Sequence, residues 1–292
     1  MKNLINYYYG LLINDFKKVN ESYEFKINNK NYEFIPFYGD INKFYKNYLL
    51  LINNNKYCHE VVLNKDKDLL TLYDNKTYLL LKKNICIDQK VDINEIINYD
   101  IPVYGNYSLD WKKLWMNKID YYEYQMSQVA VKYKILKSSF DYYIGLSETA
   151  IGILNYINLN DIKYYISHIR INQNEKLDQF FNPINIIIDS RVRDVAEYVK
   201  FKVFQEDIDI KEIIYYINKL NFNYSESLLL LSRLLYPSYF FDMYDKIIQE
   251  KISEEKINFY IKKNAVYGAF LRKIYQYIKN RYNSIEIEWL ES

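Results

Sequence analysis

One change of hydrophobic period divides this chain of 292 residues: strand-like alternation dominates before Gly105, and helical spacing dominates after it. Tyr23-Glu24-Phe25-Lys26-Ile27 alternates, Asn28-Asn29-Lys30 is turn chemistry, and Tyr32-Glu33-Phe34-Ile35 alternates again, which predicts a β-hairpin. Pro36 ends the second strand or places it at a sheet edge. Asp40 can cap a helix whose apolar positions are Ile41, Phe44, Tyr45, Tyr48, Leu49 and Ile52. Short strands follow at 60–63, 69–73 and 77–82, with Asp74-Asn75-Lys76 turning between the last two.

Beyond Gly105 the stripe Trp111, Leu114, Trp115, Ile119, Tyr122, Met126, Val129, Tyr133, Leu136 predicts one long amphipathic helix, and a second is expected over 140–157. Two apolar, β-like runs, 164–171 and 184–188, flank a polar stretch, and helices are expected at about 191–205, 209–220, 224–235, 237–250 and 253–280. The expected lobe boundary lies near Asp100, Pro102 and Gly105, giving a small β-rich lobe over 1–104 and a larger helical lobe over 105–292. That order is the outline of an α+β, protein-kinase-like two-lobe fold. An unclassified α+β protein is the plainer alternative.

Scarce residue types exclude several chemistries. The six glycines (Gly10, Gly39, Gly105, Gly145, Gly152, Gly268) never cluster into a phosphate-cradling loop. Two His and two Cys leave no zinc-type spacing, since Cys58-His59 and Cys86 stand alone. A net charge of +2 argues against a dedicated nucleic-acid binder. No apolar run reaches the roughly 18–20 residues of a membrane span, and the first residues lack the apolar core of a signal peptide. Two cysteines that look unpaired suit a reducing cytoplasm. The 35 Tyr and 33 Lys fit the drift of an AT-rich genome and make poor markers, whereas only six Arg occur, and Arg170, Arg191 and Arg193 share one short stretch.

Chemistry is expected in that stretch. The first run gives Ser167-His168-Ile169-Arg170, and the second gives Asn185-Ile-Ile-Ile-Asp189-Ser190 followed by Arg191-Val192-Arg193-Asp194. A carboxylate at the end of a buried strand is costly unless paired or bound to a cation. Asp189 is therefore a Mg²⁺ ligand, an anchor for Arg170 or Arg191, or a helix N-cap, with Ser190 as the alternative cap. His168 reads as a buried, hydrogen-bonded histidine unless it belongs to a catalytic loop. Arg193-Asp194 reads as an ion pair to a neighbouring helix, because Val192, Val195, Ala196 and Val199 already supply the buried face.

The ordering Ile166-Ser167-His168-x-Arg170, Asn185-Ile-Ile-Ile-Asp189, Arg193-Asp194-Val-Ala-Glu197-Tyr198 resembles the YutH-type spore coat proteins. These are relatives of the CotS spore coat proteins within the aminoglycoside phosphotransferase branch of the kinase-like fold. Asn6-Tyr7-Tyr8-Tyr9-Gly10, Trp111-x-x-x-Trp115-x-x-x-Ile119-Asp120-x-x-Glu123 and Tyr143-x-Gly145-Leu-x-Glu148-x-Ala150 agree with it. The resemblance implies a His-Gly-Asp-type catalytic loop, matched here by His168-Ile169-Arg170. A cation then stands at the base position, and arginine cannot accept a proton at any working pH. The loop's metal-binding Asn would fall near Glu175, whereas the metal-binding Asp of the next strand is matched by Asp189. The strand expected to carry the phosphate-pairing Lys reads Tyr32 to Phe37 without one, and the helix expected to carry its Glu offers Lys43 and Lys46.

The reading is a catalytically inactive, kinase-like (pseudokinase) protein of the spore coat or of sporulation. It is expected to be cytoplasmic or assembled into the coat and to act as a scaffold or binding module for protein partners such as coat components, with no resident cofactor. One alternative is an atypical small-molecule phosphotransferase using Asp189 for Mg-ATP, and a second is an RNA-binding module using stacked tyrosines.

Overall fold

The computed structural model describes residues 1–84, 89–99, 101–104, 110–171, 177–205, 210–283 and 285–291. Cys86, Asp100, Gly105 and Glu175, named above, lie outside the described residues. In chain order the first elements are α1 (Lys2–Tyr9), β1 (Phe16–Val19), β2 (Ser22–Ile27), β3 (Lys30–Pro36), α2 (Ile41–Asn53), β4 (Glu60–Val62), β5 (Leu70–Tyr73), β6 (Lys76–Lys83) and α3 (Ile93–Asn98). Next come α4 (Trp111–Val129), α5 (Lys134–Ile153), β7 (Tyr164–His168), α6 (Leu177–Phe180) and β8 (Ile186–Ser190). The chain continues through α7 (Val192–Gln205), α8 (Ile210–Leu220), α9 (Tyr224–Leu235), α10 (Ser238–Ile248), α11 (Asn258–Ile261), α12 (Asn264–Tyr282) and α13 (Glu288–Glu291).

These elements form two compact units that are not consecutive stretches of chain. One comprises Met1–Ile101 with Ile166–Ile188, the other Pro102–Tyr165 with Asp189–Ser292.

The first unit is built on an antiparallel sheet of order β1-β2-β3-β6-β4, with β5 also paired to β6. Two hairpins set its register. Asn28 and Asn29 (φ 48° and 62°) close β2–β3, and Asp74 and Asn75 (φ 50° and 56°) close β5–β6. Asn and Asp tolerate the left-handed region that a two-residue hairpin turn demands. Phe34 stacks on Tyr78 at 4.5 Å and Phe25 on Tyr32 at 5.5 Å, filling one face of the sheet. Asp40 caps α2 by accepting from the amides of Asn42 and Lys43. The face that α2 buries is Phe44, Asn47, Tyr48 and Leu51, whereas Tyr45 and Ile52, expected in the apolar stripe, are exposed. A polar residue replaces them because the buried Asn47 amide donates to the Ile186 carbonyl at 3.2 Å.

The stretch 166–188 joins this unit through long-range bonds. The Ile166 amide donates to the Ile101 carbonyl, the His59 amide to Phe181 and the Leu177 amide to Gln89. β7 and β8 pair as a separate two-stranded sheet.

In the second unit the long predicted helix is two helices. The stripe is buried at Trp111, Trp115, Ile119, Tyr122 and Met126, but α4 stops at Val129 and Leu114 faces solvent. α5 restarts at Lys134, and the Glu254 carboxylate accepts from the Leu136 amide, supplying from far away a partner for an otherwise orphaned helix-start amide. α9 packs against α5, α7 and α12 and is buried on every side from Ser225 to Leu235, its polar and charged residues included.

Candidate functional site

The residues singled out in the sequence fall into one cluster in each unit. In the first unit His168 ends β7 fully buried. Its Nε2 donates to the Phe180 carbonyl at 3.0 Å, and its ring stacks on Phe180 at 4.1 Å. That is a hydrogen-bonded core histidine, with one ring nitrogen held by backbone. Arg170 lies two residues on, and its Nη1 donates to the Ile169 carbonyl at 3.3 Å.

The same unit contains a buried charge cluster that sequence reasoning missed. Lys83, opposite Asn31 of β3, ends β6 with its ammonium 3.0 Å from Glu33, 3.1 Å from Glu24 and 2.9 Å from Asp178. His59 Nε2 donates to the Asp178 carbonyl at 2.7 Å and lies 3.2 Å from its carboxylate. Burial works against the Lys83 cation, yet Glu33 and Asp178 outweigh it and hold its pKa above the ordinary lysine value. Burial also pushes the Asp178 carboxyl up, but His59 and Lys83 prevail and keep it below the usual carboxylate range. The buried lysine of this unit thus comes from β6, not from β3 where the resemblance looked for one. In sequence Lys82-Lys83 reads as a solvated strand end, so no local signal marked it.

In the second unit Asp189 stands at the end of β8 with its side chain 4% exposed. Its Oδ1 accepts from the Ser190 amide and from Arg233 Nη2, both at 2.7 Å, and its Oδ2 accepts from Arg193 Nη1 at 2.9 Å. Arg233 projects from the leucine-rich, buried α9, and its guanidinium carbon lies 5.4 Å from the Trp111 ring and 5.9 Å from the Trp115 ring. Burial lowers the Arg233 pKa, and Asp189 opposes the shift. Arg193 pairs with Asp189, four residues before it in the chain, and Asp194 is buried on the first turn of α7. Arg191, one of the two arginines offered as an anchor for Asp189, forms a bidentate pair with Glu226 at 2.9 and 2.8 Å. Ser190 Oγ accepts from the Val192 amide at 3.3 Å at the start of α7.

Arg233 did have a signal. A charged residue interrupting Leu228–Leu231 and Leu234-Leu235 must find a buried partner, and a carboxylate at a strand end must find a cation. The two requirements satisfy each other.

As arranged, the donor set around Asp189 does not suit magnesium. That ion takes carboxylate oxygens and waters in open octahedral geometry, whereas both oxygens here already accept from guanidinium groups. Among the described residues, no group of three or more His, Cys, Asp or Glu could hold a metal ion. No helix among them is long and apolar enough to cross a membrane.

Comparison with known structures gives the fold a name. An aminoglycoside phosphotransferase from Alicyclobacillus acidocaldarius superposes with a TM-score of 0.70 at 11% identity, over 96% of each chain. Spectinomycin phosphotransferase APH(9)-Ia, solved with ADP and spectinomycin, gives 0.58 at 12% identity, covering 94% of this chain and 97% of that one. At such identities the likeness is one of fold: this is the α+β, kinase-like architecture that the order of elements predicted. Among curated proteins, the endospore coat-associated protein YutH of Bacillus subtilis (strain 168) is 24% identical over 286 residues, or 85% of this chain and 84% of that protein. The family described as "Spore coat putative kinase YutH" matches residues 2–274. The sequence resemblance and the match agree, and the chain belongs to the YutH family of spore coat proteins.

Proposed function

We propose that the chain is a non-catalytic member of its fold, a pseudokinase that acts in the spore coat as a scaffold or binding module. The observation that carries this reading is the state of Asp189. It is the single match to the metal-binding machinery of the fold, and Arg193 and Arg233 hold both of its oxygens. Phosphoryl transfer depends on metal, base and phosphate-binding lysine acting together. With Arg170 at the base position, no lysine on the inner part of β3 and no glycine-rich loop, the chain lacks the rest. Coat association rests on the name of the Bacillus subtilis relative.

The test is calorimetric titration of the purified chain with ATP and magnesium. The expected result is no saturable heat. Magnesium-dependent ATP binding accompanied by phosphate transfer to an acceptor would overturn the proposal in favour of a phosphotransferase using Asp189. A fluorescent fusion in sporulating cells should gather at the forming coat, and one that stays diffuse in the cytoplasm would remove the coat role.

A further inference from the structure

From Lys256 to Ile285 the sequence holds no Asp or Glu but seven cations (Lys256, Lys262, Lys263, Arg272, Lys273, Lys279, Arg281), in a chain whose total charge is only +2. It is the longest carboxylate-free stretch of the protein, and most of it is α12. One side of that helix is core: Tyr267, Phe270, Leu271, Ile274, Tyr275 and Ile278 are buried, and the Tyr267 hydroxyl donates to the Leu234 carbonyl at 2.7 Å. The other side shows Val266, Ala269, Lys273, Gln276 and Asn280 at alternating three- and four-residue steps, flanked by Ala265 and Arg272. Lys262 continues the row one turn earlier.

Some of these cations are accounted for. Lys279 pairs with Glu291, Arg281 bonds to Asn218, Asn221 and Tyr277, and Lys263 donates to the Phe204 carbonyl. Lys262, Arg272 and Lys273 form no ion pair among the described residues. Three cations without counter-ions among the described residues therefore accompany a short patch of small apolar side chains, Ala265, Val266 and Ala269, with Val266 60% exposed.

We propose that this face of α12 docks an acidic amphipathic helix of a partner protein. The three-four spacing of Val266 and Ala269 matches the seam of a helix pair, and side chains this small let two backbones approach closely. Lys262, Arg272 and Lys273 then meet the partner's carboxylates, which fixes its identity and register more than its affinity. A membrane is disfavoured because the seam carries no large apolar side chain to bury in lipid. Nucleic acid is disfavoured because a phosphate track has no use for the valine and alanine between the cations. The proposal does not depend on the state of Asp189.

The experiment uses the full chain and a fluorescein-labelled helical peptide of about three heptads, with Leu and Ala at the seam positions and Glu elsewhere. Anisotropy should report saturable binding that weakens about tenfold in roughly 0.5 M salt. Val266→Glu and Lys273→Glu should each weaken it by about tenfold or more while leaving the urea midpoint unchanged. A peptide with Lys in place of Glu should not bind. Binding that both variants leave intact would overturn the proposal. So would tighter binding to single-stranded RNA or to vesicles containing phosphatidylserine, or sedimentation showing this face closed between two copies of the chain.

Discussion

At the scale of single residues, the fate of Asp189 separates a structural role from a catalytic one. Asp189→Ala leaves the 7%-exposed Arg233 guanidinium without its carboxylate, and breaking a buried pair from one side typically costs about 3–5 kcal/mol. Removing both charges is far cheaper, because the desolvation penalty goes with them. Asp189→Ala combined with Arg233→Met should therefore recover about 1–3 kcal/mol of the single-variant loss, measured as a double-mutant cycle in urea. An Asp189→Ala chain as stable as the parent would mean that the carboxylate is not held in this way. Half of this pair was legible in the sequence. A strand-end aspartate announces that it needs a cation, but the choice among Arg170, Arg191, Arg193 and Arg233 is made by tertiary packing, and the partner on α9 is 44 residues away.

At the scale of elements, short-range signals carried furthest where the physics is local. The Asn28-Asn29 and Asp74-Asn75 turns and the Asp40 cap stand where their chemistry put them. The break between α4 and α5 was illegible because the stripe runs on through it and because Glu254, which meets the α5 start, is a distant residue. The start of α9 shows both kinds of bond. Asn223 accepts from the Glu226 amide at 2.8 Å and Glu226 accepts from the Asn223 amide at 3.1 Å, closing a capping box, while Glu226 also takes both bonds from Arg191. Asn223→Ala should cost about 1 kcal/mol, and Glu226→Gln about 2–3 kcal/mol because it also strips the charge from a bidentate pair. Equal losses in urea unfolding would show that Arg191 adds nothing to the cap. α6 provides the pH dependence. The Asp178 carboxyl is held low by His59 and Lys83, so its stabilisation is present above the unfolded value, about pH 4, and is lost as pH falls through the depressed folded value. Lys83→Met should raise that carboxyl and start the acid loss of stability at higher pH. If urea midpoints of both proteins superimpose from about pH 3 to 7, Lys83 does not hold Asp178.

At the scale of the whole molecule, the sheet-then-helices order was enough to predict the architecture, because it is written in the change of hydrophobic period. The membership of 166–188 in the same compact unit as 1–101 was not, since it rests on bonds such as Asp178 to His59 and Lys83 that span some 95 to 119 residues. Spectinomycin phosphotransferase was solved with ADP, and mass action gives a measurable criterion for whether this chain takes a nucleotide. A ligand at a hundredfold its Kd adds about 2.7 kcal/mol to stability. That shift raises the thermal midpoint of a chain of 150–250 residues by about 2–4 °C per kcal/mol, and of a somewhat longer one by slightly less. Opening both Asp189 oxygens to a metal, however, means breaking its buried pairing, at about 3–5 kcal/mol. That cost weakens metal-dependent binding by roughly two to four orders of magnitude, turning a Kd of about 10 μM into about 1 mM or weaker. Millimolar magnesium and ATP together should then move the thermal midpoint by less than about 1 °C, and Asp189→Ala should leave that response unchanged. A rise of several degrees that needs both magnesium and ATP, and that vanishes in Asp189→Ala, would mean that the two arginines release the aspartate on binding and that the site is a working one.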